Sequence, residues 1–172
     1  MHLSSRRDNE NKNVESTTNE TVEKEEDFSS LPLPKEISTP GDGSIDSLEA
    51  FLKKEGISSP ILKNIAVVLK APDGKKSVAV VGLPSDRQLD LKRLEACLSP
   101  MEVSIAGEED LKEHPELVKG FIGVGKVGPQ GAGPAKCPYF LDAHVFKGSC
   151  WCTGSDKKGF HTLNVVCGRD FG

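Results

Sequence analysis

The sequence predicts an α+β fold: a mixed, mainly antiparallel, partly barrel-like sheet with flanking helices. Three observations predict it. Short β-rich runs recur between residues 61 and 166, separated by turn residues. Two of them, Ile61–Lys70 and Ser77–Leu83, read as a hairpin around Ala71-Pro72-Asp73-Gly74. Segments with apolar residues at helical spacing are mixed among the strands.

Taken in order, residues 1–30 are rich in Asn, Ser, Thr, Glu and Lys and nearly free of apolar side chains. Such a composition cannot offset its ordering entropy, so a disordered tail or linker is expected there. The run Glu23–Asp27 is a solvated charge block. The folded domain, 31–172, opens on Leu31-Pro32-Leu33-Pro34, an extended lead-in because each residue before a proline is pushed toward β geometry. Ser38–Gly41 is a turn. Ser44 or Asp46 caps a helix carrying Ile45, Leu48, Phe51 and Leu52, and Gly56 ends it. After the hairpin, Leu89–Leu98 is a helix and Met101–Ala106 a short strand. Glu108–Lys119 reads as helical, interrupted by Pro115. Glycines at 120, 123, 125, 128, 131 and 133 make a loop built from backbone. Tyr139–Phe146 is a strand, Ser149–Thr153 a strand or helical turn, and Phe160–Val166 a last strand.

Bulk composition narrows the function. Of 172 residues, 36% are hydrophobic but only 5% aromatic, so the core must be aliphatic. Net charge is −4, unlike a general nucleic-acid binder; a phosphate-bearing partner would be gripped locally. No apolar run of about 18 residues exists to span a membrane, and no apolar segment marks a secretory signal. Five cysteines, an odd number, suggest free thiols in a reducing compartment. The one close pair, Cys150-Trp151-Cys152, lacks the spacing of structural zinc, so no metal is expected.

Several residues could carry chemistry. Gly123-x-Gly125-x-x-Gly128 matches a dinucleotide fingerprint in letters, but no strand–helix unit surrounds it and Pro129 follows at once. Its two readings are a connector and a loop whose amides approach a ligand closely. Lys63 lies in an apolar strand, pointing either to solvent or into a pocket where its ammonium holds a phosphate or ribose oxygen. Asp142 is either a turn carboxylate or a pocket carboxylate for an amino group. His161 is either a satisfied structural histidine or a pocket donor that limits ligand size. Ser149, His161 and Asp142 could compose a triad on paper, but no nucleophile-elbow pattern supports one.

Residues 35–170 resemble the editing insertion domain of bacterial-type prolyl-tRNA synthetases, a relative of the YbaK-like aminoacyl-tRNA deacylases. The resemblance rests on Ser38-Thr39-Pro40-Gly41 with its short acidic helix, Lys63 before an apolar strand, and the Gly-x-x-x-Pro loop Gly125–Pro129. It continues with Asp142 after an apolar triplet, Gly159-Phe160-His161 and the closing Arg169-Asp170. Two stretches depart from the pattern, Lys147–Cys152 and the glycine-rich Gln130–Pro138.

The resemblance implies hydrolysis of mischarged aminoacyl-tRNA, chiefly alanyl-tRNA for proline, in the cytoplasm and without a cofactor. ATP would serve only the parent synthetase, whose domain is absent from this chain. It implies that Lys63, Gly125, Gly128 and Pro129 carry the chemistry, and that Asp142, His161, Lys126 and Val127 bind substrate. The implied partners are the 3′ end of tRNA(Pro) and the rest of a parent synthetase, with no membrane. Free-standing editing factors and non-catalytic binding modules share the fold. The end at Phe171-Gly172 reads as a domain boundary.

Overall fold

The computed structural model describes residues 27–127 and 137–172. The chain divides into two units at Ser30/Leu31. Of the first, only Asp27–Ser30 are described, with the Asp27 carboxylate accepting from the Ser29 amide at 2.8 Å. The remainder of the expected tail, Gly128, Pro129 and residues 130–136 lie outside the described residues.

The second unit bears out the α+β class. Its elements are β1 (Lys35–Ser38), α1 (Ile45–Lys54), β2 (Leu62–Lys70), β3 (Lys76–Pro84), α2 (Leu91–Cys97), β4 (Glu102–Ile105), β5 (Tyr139–Leu141), β6 (Cys150–Gly154) and β7 (Phe160–Val166). The strands form two sheets, ordered β1-β7-β6 and β4-β2-β3-β5. All named pairings are antiparallel except β3 with β5. The sheets meet where the Cys152 amide donates to the Pro60 carbonyl at 2.8 Å, beside a bridge between Ile61 and Cys152.

The β2–β3 hairpin is closed as its turn residues dictate. Gly74 takes φ +86°, a left-handed conformation open to glycine, and its amide donates to the Ala71 carbonyl at 2.9 Å. Strand alternation then splits the core. Ala66 faces Val80, Leu117, Ile122 and Val127, whereas Val67 and Leu69 join Ala79, Val81 and Val103 beneath Leu94 and Leu98 of α2.

Ser44 caps α1, its hydroxyl oxygen accepting from the Ser47 amide at 3.2 Å. At the other end Gly56 adopts φ +68°, and the Gly56 and Ile57 amides return to the Lys53 and Leu52 carbonyls at 3.2 and 2.9 Å. Leu48 and Leu52 of α1 pack on Ile61 and Cys152, which fixes the start of β2. Cys137 and Cys167 are also buried, as small apolar core residues.

Two expected elements differ. Residues 108–119 form successive turns, not a helix. The Asp110 carboxylate accepts from the Gly107 amide at 2.8 Å, and the bonds from Lys112 to Glu109 and from His114 to Leu111 span three residues. Local side-chain bonding and Pro115 outcompete the helical ladder. The strand expected over Tyr139–Phe146 stops at Leu141, because the Val145 amide turns back to the Asp142 carbonyl at 2.9 Å.

Candidate functional site

The site forms where β2 runs out of neighbours. The Ala106 amide donates to the Ala66 carbonyl at 3.0 Å, and the Thr153 hydroxyl to the Leu62 carbonyl at 2.9 Å. The peptide groups of even-numbered β2 residues therefore turn away from β3. β4 covers that edge only from Val67 to Lys70, so the Asn64 peptide lies on an uncovered stretch. Against this stretch sits a cavity of about 270 Å³.

Lys63 and Asn64 of β2, Ser44 at the start of α1, Ile105 of β4, and His161 of β7 line the cavity. Lys119, and Gly120 and Ile122 from the start of the glycine-rich run, also line it, together with Gly43 and Gly154. The wall is thus aliphatic, with a few polar side chains and exposed peptide units, as small polar ligands require.

Glycine sets the thickness of this wall. A Cβ on Gly154 would lie 2.2 Å from the Phe121 carbonyl oxygen, and one on Gly123 would lie 2.3 Å from the Gly154 carbonyl oxygen. Gly43 and Gly120 touch in the same way, each Cβ position being 3.1 Å from the other's Cα. Only backbone fits between the segments. The contact is tied by the Gly123 amide donating to the Asp156 carboxylate and the Asp156 amide donating to the Phe121 carbonyl, both at 2.8 Å. Burial pushes the Asp156 carboxyl above its ordinary value, against the opposing effects of the Gly123 amide and the Lys126 charge.

Asn64 is the polar centre of the wall. Its Nδ2 donates to the Ile122 carbonyl at 2.8 Å and to Thr153 Oγ1 at 2.9 Å, and its Oδ1 accepts from the Tyr139 hydroxyl. Sequence reading missed it, since a lone Asn in a strand announces nothing. It also missed Lys119, hidden in a segment read as helix.

His161 is 4% exposed. Its Nδ1 lies 2.5 Å from the buried Thr39 hydroxyl, the ring interacts with the Gly120 backbone, and it packs on Phe121 at 5.2 Å between centroids. Burial lowers its pKa, outweighing the upward effect of Gly120. A neutral ring satisfies both neighbours by donating from Nε2 to the Gly120 carbonyl and accepting at Nδ1 from Thr39. It therefore positions Gly120 in the wall, as a satisfied structural histidine that also touches the cavity.

Lys63 and His161 are the two expected site residues that the structure brings to one cavity. Gly125, Lys126 and Val127 do not line it; the wall uses Gly120–Ile122, a few residues upstream. Val127 is buried in the core. Asp142 is elsewhere too. It is a turn carboxylate accepting from the His144 amide at 2.8 Å and lying 2.7 Å from His144 Nδ1. Burial opposes its ionisation, but His144 and the Arg87 charge outweigh that and hold it below the ordinary carboxylate range. Its neighbour His144 lines a second, more open cleft of about 780 Å³ with Trp151, Arg87 and the end of α1. Ser149 accepts from the Trp151 indole at 2.7 Å and bonds the Phe146 carbonyl. The three paper-triad residues thus serve separate partners.

These observations define the class: a small α+β domain with a compact cavity between an open strand edge and a glycine-built wall, with a lysine in its lining. The chain belongs to the aminoacyl-tRNA editing domain family, whose model matches residues 43–171. It is 42% identical to a proline–tRNA ligase of Bifidobacterium longum over 84% of this chain and 27% of that protein. It is 40% identical to one of Kineococcus radiotolerans over 84% of this chain and 25% of that protein. For one of Bifidobacterium adolescentis the values are 38%, 92% and 30%. The chain therefore spans under a third of the length of these relatives.

Proposed function

We propose that this domain hydrolyses the ester of mischarged aminoacyl-tRNA, with alanyl-tRNA for proline as substrate, as the editing domain of a proline–tRNA ligase. The observation that carries the reading is Lys63. In a chain of the editing family, its side chain lines the same cavity as Gly120 and His161, and among the described residues it has no hydrogen-bond or ion-pair partner.

In this reading the 3′-terminal aminoacyl-adenosine enters the cavity. Lys63 holds the ribose and ester oxygens. Peptide groups at Gly120 and on the open β2 edge orient the aminoacyl group. A water oxygen attacks the ester carbonyl carbon, the bond to the ribose oxygen breaks, and that oxygen takes up a proton. His161 does not serve as the base, because it is only 4% exposed and its Nδ1 is taken by the Thr39 hydroxyl. A neighbouring ribose hydroxyl helps to orient the water, so acceleration comes from positioning and charge complementarity, with no covalent intermediate and no cofactor. The small cavity admits alanine and rejects the bulkier proline ring by size. The partners are the 3′ end of tRNA(Pro) and the rest of the synthetase, in the cytoplasm; among the described residues no helix is long and apolar enough to cross a membrane.

The test is deacylation of alanyl-tRNA, with prolyl-tRNA as control, by the chain and its Lys63→Ala variant. Loss of alanine that falls by about 100-fold or more in the variant, with proline spared, supports the reading. Deacylation unaffected by Lys63→Ala would sink the assigned role of Lys63. A folded chain inert toward alanyl-tRNA, even with its parent enzyme supplied, would make this a binding module.

A further inference from the structure

The cavity has a charge pattern that the chain lacks. The sequence carries 26 acidic and 22 basic side chains. The cavity wall holds two lysines, Lys63 and Lys119, and no Asp or Glu among the described residues. Neither ammonium has a hydrogen-bond or ion-pair partner among those residues. Glu116, the acid nearest in sequence to Lys119, faces His114 at 3.3 Å, and Asp110 accepts from the Gly107 amide. An anionic ligand at this cavity would therefore meet two lysines and, among the described residues, no lining carboxylate. Ser44 and Ile45, at the start of α1, line the same cavity.

The two lysines are not equivalent. Lys63 is half-buried, whereas Lys119 is exposed at the rim. A phosphate diester is costly to strip of water, so it stays at the mouth; an uncharged ester can be drawn inside. We propose that Lys119 binds the phosphodiester preceding the terminal nucleotide of the RNA 3′ end, leaving Lys63 to the ribose and ester beyond it. This assignment rests on the editing reading and refines it. Lys119 would set affinity and salt dependence, not the chemical step.

The experiment uses the dinucleotide cytidylyl-3′,5′-adenosine and plain adenosine, titrated at several salt concentrations into the whole chain, Lys119→Ala, Lys119→Arg and Lys63→Ala. One phosphate contact gives a slope of about −0.7 in log K against log salt for a single strand. The wild type, Lys119→Arg and Lys63→Ala should show that slope for the dinucleotide. Lys119→Ala should lose it and bind the dinucleotide no better than adenosine. A slope unchanged in Lys119→Ala, or dinucleotide binding that is undetectable at millimolar concentration, overturns the proposal. Because this assay needs no turnover, the two readings fail separately. Lys119-dependent slope without deacylation removes the editing reading alone. Lys63-dependent deacylation with a Lys119-independent slope removes this assignment alone.

Discussion

Substituting Gly154 with alanine adds one methyl group at the tightest point of the cavity wall. Gly154 does not occupy the left-handed region, so backbone conformation is no obstacle. Restricting the unfolded chain would by itself stabilise the variant by about 0.4–1 kcal/mol. The folded state opposes this. The new Cβ would sit 2.2 Å from the Phe121 carbonyl oxygen, 2.3 Å from its carbon and 2.7 Å from the Ile122 oxygen. All three are backbone atoms, so no side chain can rotate away. The 121–123 segment must retreat by the better part of an ångström, although the Asp156 carboxylate and amide hold it at Gly123 and Phe121. Overpacking of this kind costs about 1–3 kcal/mol, and with backbone on both sides the upper end applies. The clash wins, with a net loss of about 2 kcal/mol. In a domain of this size that lowers Tm by about 4–8 °C. Urea unfolding and a thermal melt measure it. Ligand binding and deacylation should fall as well, because Gly120 and Ile122 are carried outward. A variant within 0.5 kcal/mol of wild type with unchanged activity would refute the reasoning. Gly159→Ala is the contrast, since its Cβ meets nothing within 4 Å and only its φ of +86° is penalised.

Asn64→Leu should destabilise by about 2 kcal/mol, because it strips partners from the Ile122 carbonyl and the Tyr139 hydroxyl; a denaturation midpoint equal to wild type would deny Asn64 its role at the centre of the wall. For His161 the sign follows from its lowered folded-state pKa. The unfolded chain takes up a proton more readily, so stability present above the ordinary value of 6.5 is lost as pH falls below it. His161→Gln should therefore flatten the acid-side loss between pH 7.5 and pH 5, read as urea midpoints. Equal losses in variant and wild type would show that the ring does not titrate in this way.

Local chemistry was legible in the sequence, and long-range pairing was not. Ser44, Gly56 and the Ala71–Gly74 turn act over a few residues, and the structure uses them as read. Lys63 was legible as a candidate because a lysine in a strand invites the question of where it points. Which glycines of the run line the cavity was not legible, because many glycines in one run look alike as letters. What distinguishes Gly120 and Gly123 is whom they touch, Gly43 and Gly154, and those contacts join segments far apart in the chain. Asp142 was ambiguous for a related reason: a carboxylate after an apolar triplet fits a pocket or a turn equally well, and the bond from the His144 amide appears only in the fold. Asn64 was invisible because its importance lies entirely in three distant partners.

The paired bonds that tie Asp156 to Gly123 and Phe121 bear on how the cavity opens. Each segment donates one amide to the other, the Gly123 amide to the Asp156 carboxylate and the Asp156 amide to the Phe121 carbonyl. Neither strand of the crossing can lift away while its mate stays bonded, so both amides become accessible to solvent in a single event. In heavy water the Gly123 and Asp156 protons should exchange with one shared protection factor, and that factor would report the free energy of unlatching the ligand wall.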